Sequence, residues 1–328
     1  MRRLVRVSGS AECGLLTGLG IGLALRVLEG ERCTGMRQLT QTLEDLYIPA
    51  PLSSKYPSYT GPENSELDRS FTLAELDWAF TQNVKKSAPG EDAITYTLLR
   101  NLPEEDKEQL LAHINTHWSE GTLPQEWKSS IITMIPKQGK PPSLTNLGPI
   151  SLTSCVGKTM ERMVLDRFQD HLEIISFFPH TQIGFRSHVS TQDLFLLLQH
   201  TFLSPPSAQV HALVTVDVRK AFDCIGHDHI LASVRETGCG HRLYTYILNF
   251  LKDRTASLRI EAETSPPITL TRGTPQGAVL SPTLFNLSMA QLAYRLQQVP
   301  QLSHMFYADD LSLWCTHGSP GEVESTLQ

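Results

Sequence analysis

The sequence predicts an α+β fold, a sheet layer backed by helices, on two observations. Amphipathic helical patterns are frequent, and short strand-like segments are widely separated among them. A chain of 328 residues with 40% apolar content can also fill a sizeable core. Global disorder is thereby excluded.

Taken in order, residues 48–70 carry prolines and Gly61-Pro62 and read as a connector. Thr72 and Glu75 form a capping box, and Leu73, Leu76, Phe80 and Val84 recur at helical spacing, predicting a helix to about Lys86. A second helix starts at Pro103 with Glu104, Glu105 and Asp106 in its first turn, and runs to Gly121. Ile131–Ile135 is β-branched, short and bounded by Pro136, hence a strand. Val156–Leu172 is helical, its Met160, Met163, Val164 and Phe168 stripe reading as core, and Thr191–Phe202 is helical too. His211–Val216 is almost wholly apolar and leads into Asp217, the pattern of a strand buried on both faces. Leu280–Gln297 is a helix, and Met305–Trp314 two short strands around a tight Ala-Asp-Asp turn.

Charge is uneven. The 28 basic and 34 acidic residues give −6 overall, with 12 basic against 18 acidic in 1–127 and 16 against 16 in 128–328. The whole chain therefore lacks the basic signature of a nucleic-acid binder, yet Lys128, Lys137, Lys140, Lys158, Arg162 and Arg167 face only Glu161 and Asp166 within 128–168, a balance of 6 − 2 = +4. Six scattered cysteines without a C-x-x-C pair argue against a zinc ribbon or disulfide scaffold and for a reduced, intracellular setting. The apolar run Gly14–Leu25 imitates a signal peptide, but its glycines, Glu12 and Arg26 weaken that reading, and it falls short of the roughly 20 residues that span a bilayer. No membrane association is expected.

Chemistry points to carboxylates. Asp217 ends an apolar strand, with Asp223 six residues on, and Asp309-Asp310 interrupts a hydrophobic hairpin. Two adjacent anions among Phe306, Tyr307, Leu311 and Trp314 repel each other unless water or a cation relieves them. A solvated turn accounts for an isolated Asp-Asp pair. Acids brought together by neighbouring strands would instead suit Mg²⁺, which is held by one or two carboxylates plus substrate phosphates, and a pair of such ions suits phosphoryl transfer. His113 and His117 are spaced for zinc, but no third ligand or H-E-x-x-H pattern accompanies them.

Six strings point one way. Phe306-Tyr-Ala-Asp-Asp310, Arg272-Gly-Thr-Pro-Gln-Gly through Asn286, Val216-Asp through Asp223 with His227, and Gln182-Ile-Gly-Phe-Arg186 with Ser190-Thr191 resemble the reverse transcriptases of LINE-type non-LTR retrotransposons. Lys86-Ser-Ala-Pro-Gly90 and Pro149-Ile-Ser-Leu-Thr153 also match, in the family's order, so the resemblance covers about 72–317. It implies a right-hand polymerase: an N-terminal segment of unassigned role at 1–71, fingers at 72–210 and a partial palm at 211–328, an antiparallel sheet packed on helices. The sequence ends 328 − 310 = 18 residues after Asp310, ahead of the expected primer grip and thumb.

The resemblance implies roles as well. Asp217 and Asp309 would bind two Mg²⁺ ions with the Val218 carbonyl, and Asp310 would help hold the site. Phe222 looks like the steric gate against a ribose 2′-OH, although core packing would also explain it. Gln276 and Gly277 match the loop against the incoming nucleotide, where a plain turn is the ordinary alternative. Lys137 resembles the lysine that contacts the triphosphate, and Lys158 and Arg186 are implied contacts to the template backbone. Leu147-Gly148-Pro149-Ile150 stands where the family has aromatic-Arg-Pro-Ile, so a phosphate-binding arginine is missing. The implied activity is RNA-directed DNA polymerisation, with RNA template, DNA primer and dNTPs as partners. The alternative is a non-enzymatic retrotransposon remnant. A group II intron or telomerase-like polymerase shares the acids but not the upstream strings.

Overall fold

The computed structural model describes residues 36–82, 88–141, 143–186, 189–203, 212–218, 220–261 and 263–327, so the signal-like run at 14–25 lies outside the described residues. Helix α1 (Met36–Tyr47) is followed by a strap without helix or strand up to α2 (Ser65–Asp68). The strap covers most of the connector expected at 48–70, whose end forms α2 instead, and it is pinned down: Leu52 N–H donates to Thr271 Oγ1, the Ser54 hydroxyl to Thr271 O and the Tyr244 hydroxyl to Pro57 O.

The capping box starts α3 (Leu73–Gln82), with the Thr72 N–H and hydroxyl donating to Glu75 and the Glu75 N–H donating back to Thr72 Oγ1. Its expected continuation falls on 83–87, outside the described residues. Next come α4 (Tyr96–Arg100), α5 (Glu104–Glu120), α6 (Gln125–Lys128), strands β1 (Ser129–Pro136) and β2 (Leu147–Thr153), and α7 (Cys155–Ile174). The second half holds α8 (Thr191–Leu198), β3 (Ala212–Asp217), α9 (Ala221–Cys224), α10 (His227–Glu236), α11 (His241–Leu251), β4 (Arg254–Ile260), β5 (Glu263–Thr264) and β6 (Ile268–Leu270). Helix α12 (Ser281–Gln297), strands β7 (Ser303–Tyr307) and β8 (Asp310–Cys315), and α13 (Pro320–Leu327) complete it.

Two sheets form. One runs β2-β1-β4-β5, with β6 also on β4, and the other runs β3-β8-β7. The second is antiparallel throughout, but the first is mixed, because β1 pairs parallel with β4 while pairing antiparallel with β2. The long connection between β1 and β4 permits that parallel pairing. A strand from beyond residue 210 thus joins the sheet of an earlier segment, and the largest core mixes residues from Leu67 to Ala290. The boundary at 210 divides the sequence but not the packing.

Helix α7 is the central element. Ser154 caps it by accepting from the Val156 and Gly157 N–H groups, and its Met160, Met163, Val164 and Phe168 stripe is fully buried as expected. Arg167 fastens it to the α2–α3 segment: the guanidinium donates to both Glu75 oxygens at 2.7 and 3.0 Å and to the carbonyls of Leu67, Arg69 and Ser70. Its carbon also lies 4.1 Å from the Phe71 ring centroid.

The three-stranded sheet has helices on both faces. Helix α8 covers Met305 and Trp314, while α12 covers Phe306 and Leu311. One sequence expectation fails here, because β3 is exposed along its length rather than buried on both faces, with Leu213, Val214 and Val216 41%, 40% and 43% exposed. The cause is topology. Strand β3 pairs only with β8 among the described residues, and both helices lie over β7 and β8. An apolar run reports what a strand can bury, not whether a neighbour is present.

Candidate active site

Strand register brings the acids together. In the β3–β8 ladder Asp217 lies directly opposite Asp310, and in the β7–β8 hairpin Tyr307 lies opposite Asp310. Side chains directly opposite share a face, so Asp217, Asp310 and Tyr307 line one exposed end of the sheet. Ala308 and Asp309 make the turn, with Ala308 at φ 56°, and the Val218 N–H donates to the Asp309 carbonyl at 3.2 Å. The in-register partner of Asp217 is Asp310, and Asp309 lies on the adjoining turn.

Burial pushes the Asp310 carboxyl up, and the charges of Asp309 and Asp217 push it further. Asp310 therefore feels both neighbouring carboxylates. Among the described residues no group of three or more His, Cys, Asp or Glu side chains is arranged to hold a metal ion. An open, all-oxygen, mutually repelling set still fits Mg²⁺, which takes few protein ligands and leaves the rest to water and phosphate. Asp217, Asp309 and Asp310, with the Val218 carbonyl, are the groups that would hold it. The histidine pair is packing instead, since the His113 and His117 rings meet edge-on at 4.6 Å and His117 Nδ1 bonds Thr122 Oγ1 at 2.8 Å.

The hairpin is fixed from one side by the Gln182–Gly184 segment. Ile183 N–H donates to Phe306 O at 3.0 Å and Phe306 N–H to Thr181 O at 2.7 Å. Buried Gln182 donates its side-chain amide to Asn286 O at 2.7 Å, and Asn286 returns one to Gly184 O at 2.6 Å. At Gly184 a Cβ would drive into the Ala308 backbone nitrogen, so only glycine lets this segment lie against the turn that carries Asp309. Three sequence strings that are far apart in the chain thus meet at the acids.

A second convergence gathers Phe222, Gln276 and Gly277. Thr274 N–H donates to Phe222 O at 2.8 Å, Gly273 N–H to Ile225 O at 2.7 Å, and Ser151 N–H to Gln276 O at 2.7 Å. Phe222 is half-buried, tilted against Phe285 at 5.0 Å and edge-on to Phe185 at 6.2 Å. Gly277 is exposed, and its backbone runs beside Ser151 O. Asp223, which the sequence flagged without assigning, accepts from Gln276 Nε2 at 2.7 Å. Burial pushes its carboxyl up to about 6, against the Gln276 bond and the Lys220 charge.

The predicted cations divide into three kinds. Lys137 is exposed just past β1. Lys158 is 5% exposed, and it lines a cavity of about 370 Å³ together with Arg162, Tyr96, Phe185 and Gly277. Arg186 points elsewhere: it pairs with Glu173 at 2.7 Å and donates to Pro179 O and Gln182 O. Its donors hold the 179–186 segment. Sequence reading missed Arg162, whose Nε is buried without a partner, as a second cation of that cavity. Its i+4 spacing from Lys158 on a helix was the available signal. Also missed was Glu161, a fully buried carboxylate on α7 that accepts from the Val279 and Leu280 N–H groups at the start of α12. Nothing local marked it, because its partners lie more than a hundred residues away.

Acids thus gather where a strand end meets a hairpin turn, beside a glycine-bearing loop. The profile of the reverse transcriptase (RNA-dependent DNA polymerase) family matches residues 135–327, and the chain belongs to that family. It is 28% identical over 297 residues to the probable RNA-directed DNA polymerase from transposon BS of Drosophila melanogaster, covering 89% of this chain and 31% of that protein. It is 30% identical over 218 residues to the RNA-directed DNA polymerase from mobile element jockey of the same fly, covering 66% and 24%. A third relative, the Pol polyprotein from the type-1 retrotransposable element R2 of Popillia japonica, is 29% identical over 243 residues, covering 70% and 32%. The relatives come from a transposon, a mobile element and a retrotransposable element, in line with the resemblance read from the motifs. The chain spans about a third or less of their length. No helix among the described residues is long and apolar enough to cross a membrane.

Proposed function

We propose that this chain carries the catalytic centre of an RNA-directed DNA polymerase, adding dNTPs to a DNA primer 3′-OH on an RNA template. The observation that carries this reading is the register of Asp217 against Asp310 with Asp309 on the adjoining turn, a like-charge cluster left open at the sheet end. In the reaction the primer 3′-oxygen bonds to the α-phosphorus, the bond from that phosphorus to the bridging oxygen breaks, pyrophosphate leaves, and the hydroxyl proton passes to solvent. Two bound Mg²⁺ ions would lower the cost of the attacking alkoxide and of the charge on pyrophosphate.

The chain's own groups do the rest. Asp217, Asp309 and Asp310 supply the negative field that draws cations to the sheet end. Phe222 walls the site as the 2′-OH gate, and Gln276 and Gly277 meet the nucleotide. Lys137, exposed at the end of β1, reaches the triphosphate. Lys158 meets the template backbone, whereas the ion pair of Arg186 with Glu173 supports a structural part for that residue. Fingers and partial palm describe the two halves, interlocked through the β1–β4 pairing.

Gly148, where the family carries arginine, favours a second reading in which the chain binds nucleic acid without polymerising. Primer extension on an RNA template decides between them. Magnesium-dependent incorporation by the parent chain, abolished in Asp217→Asn and Asp309→Ala, supports the polymerase; a silent parent that still binds template supports the second reading.

A further inference from the structure

Asp223 is a half-buried carboxylate that the proposed chemistry leaves unused. It accepts from Gln276 Nε2 at 2.7 Å, and two backbone bonds, Thr274 N–H to Phe222 O and Gly273 N–H to Ile225 O, tie its turn to the same loop. The approach is close enough that a Cβ on Gly273, at φ 75°, would come within 2.5 Å of Asp223 O. Turn and loop therefore form one unit. From the other side the Ser151 N–H holds the Gln276 carbonyl, so the Gln276 backbone is fixed and only its side-chain amide retains a choice of orientation.

An amide has two unlike ends, and an ionised carboxylate can only accept. We propose that Asp223 is a positioning residue: by taking the Gln276 Nε2–H it turns Oε1 and the second N–H of that amide outward, fixing which hydrogen-bonding groups an incoming nucleotide meets. At neutral pH the carboxyl, raised to about 6, is mostly ionised and holds this orientation. His227, Arg254 and Arg272 line the same cavity, and among the described residues that line it Asp223 is the one carboxylate. The inference rests on the polymerase reading, since it takes the nucleotide to be what Gln276 faces.

Single-nucleotide incorporation, measured as kcat and KM for a dNTP, tests it. Asp223→Ala is expected to raise KM about tenfold, the scale of one charge-assisted hydrogen bond, with kcat nearly unchanged. Asp223→Asn keeps an acceptor oxygen and should recover most of the loss. Asp223→Ala added to Gln276→Ala should cost nothing beyond Gln276→Ala alone, whereas a residue acting only through stability would add its effect. An unchanged KM in Asp223→Ala, or full additivity in the double variant, overturns the inference. If Asp223→Ala does not fold, Asp223→Leu, which keeps the volume but offers no acceptor, decides by the same criteria in the parent and Gln276→Ala backgrounds. A parent chain that incorporates nothing sinks the polymerase reading, and this inference with it; an active parent with an indifferent Asp223 sinks the inference alone.

Discussion

Replacing Gly184 by alanine asks whether the position of the acid-bearing hairpin is set by the segment beneath it. The new methyl would meet the Ala308 nitrogen well inside contact distance, with the Tyr307 carbonyl carbon at 3.0 Å and Ala308 Cα at 3.1 Å. All three are backbone atoms, so no side chain can swing away. Ordinary van der Waals contact requires the two segments to part by roughly 1 Å, an overpacking cost of about 1–3 kcal/mol. The Ile183 N–H to Phe306 O bond, 3.0 Å in the parent, lies in the path of that movement. A shift of about 1 Å in reacting groups costs on the order of 100-fold in rate. Primer extension with thermal unfolding run in parallel should show Gly184→Ala folded, less stable and about 100-fold slower. Gly321→Ala is the control, since no atom lies within 4 Å of its added Cβ; it should keep the parent rate. A Gly184→Ala variant as fast as the parent would refute the claim that this contact places Asp309.

Three other outcomes are expected. Arg167→Met removes the buried cation that bonds both Glu75 oxygens and leaves Glu75 to Arg69 and Thr72, so it should cost about 1–3 kcal/mol in urea unfolding, the scale of lost hydrogen bonds to a charged group. Burial raises the Glu75 carboxyl, but Arg167 and Thr72 outweigh it and bring it down from 4.5 to about 2. Its contribution is therefore complete above pH 4.5 and disappears as pH falls toward 2; at about 2 kcal/mol after allowance for solvent, it should flatten the parent's acid limb when Arg167 is absent. Lys158→Gln should lower the salt dependence of template binding by about one unit of slope in a filter-binding titration, whereas Arg186→Gln should leave that slope unchanged and reduce stability instead. Gly148→Arg should fold, since the nearest atom to a Cβ there is Ile135 O at 3.6 Å, and should tighten dNTP binding about tenfold in incorporation assays.

Local pattern determined a great deal. The Thr72–Glu75 box, the Pro103 start, the apolar stripe of α7 and the two-strand hairpin at 305–314 are all consequences of neighbours along the chain, and each took its expected form. The acids were legible because charge within an apolar hairpin is anomalous wherever the chain goes. The same logic misled at β3, whose apolar side chains do not encode the presence of a second neighbour.

What tertiary structure alone decided are the pairings between distant segments. The sequence holds Asp217 and Asp310, but only the β3–β8 register sets them opposite each other and leaves Asp309 on the turn. It holds Arg186, but only packing spends that guanidinium on Glu173; it holds Asp223 and Glu161, but only folding supplies the Gln276 amide and the Val279 and Leu280 N–H groups that they accept. A hydrogen bond or ion pair depends on where the partner lies in space, and sequence spacing carries that information only within a turn or two of helix or across a tight hairpin.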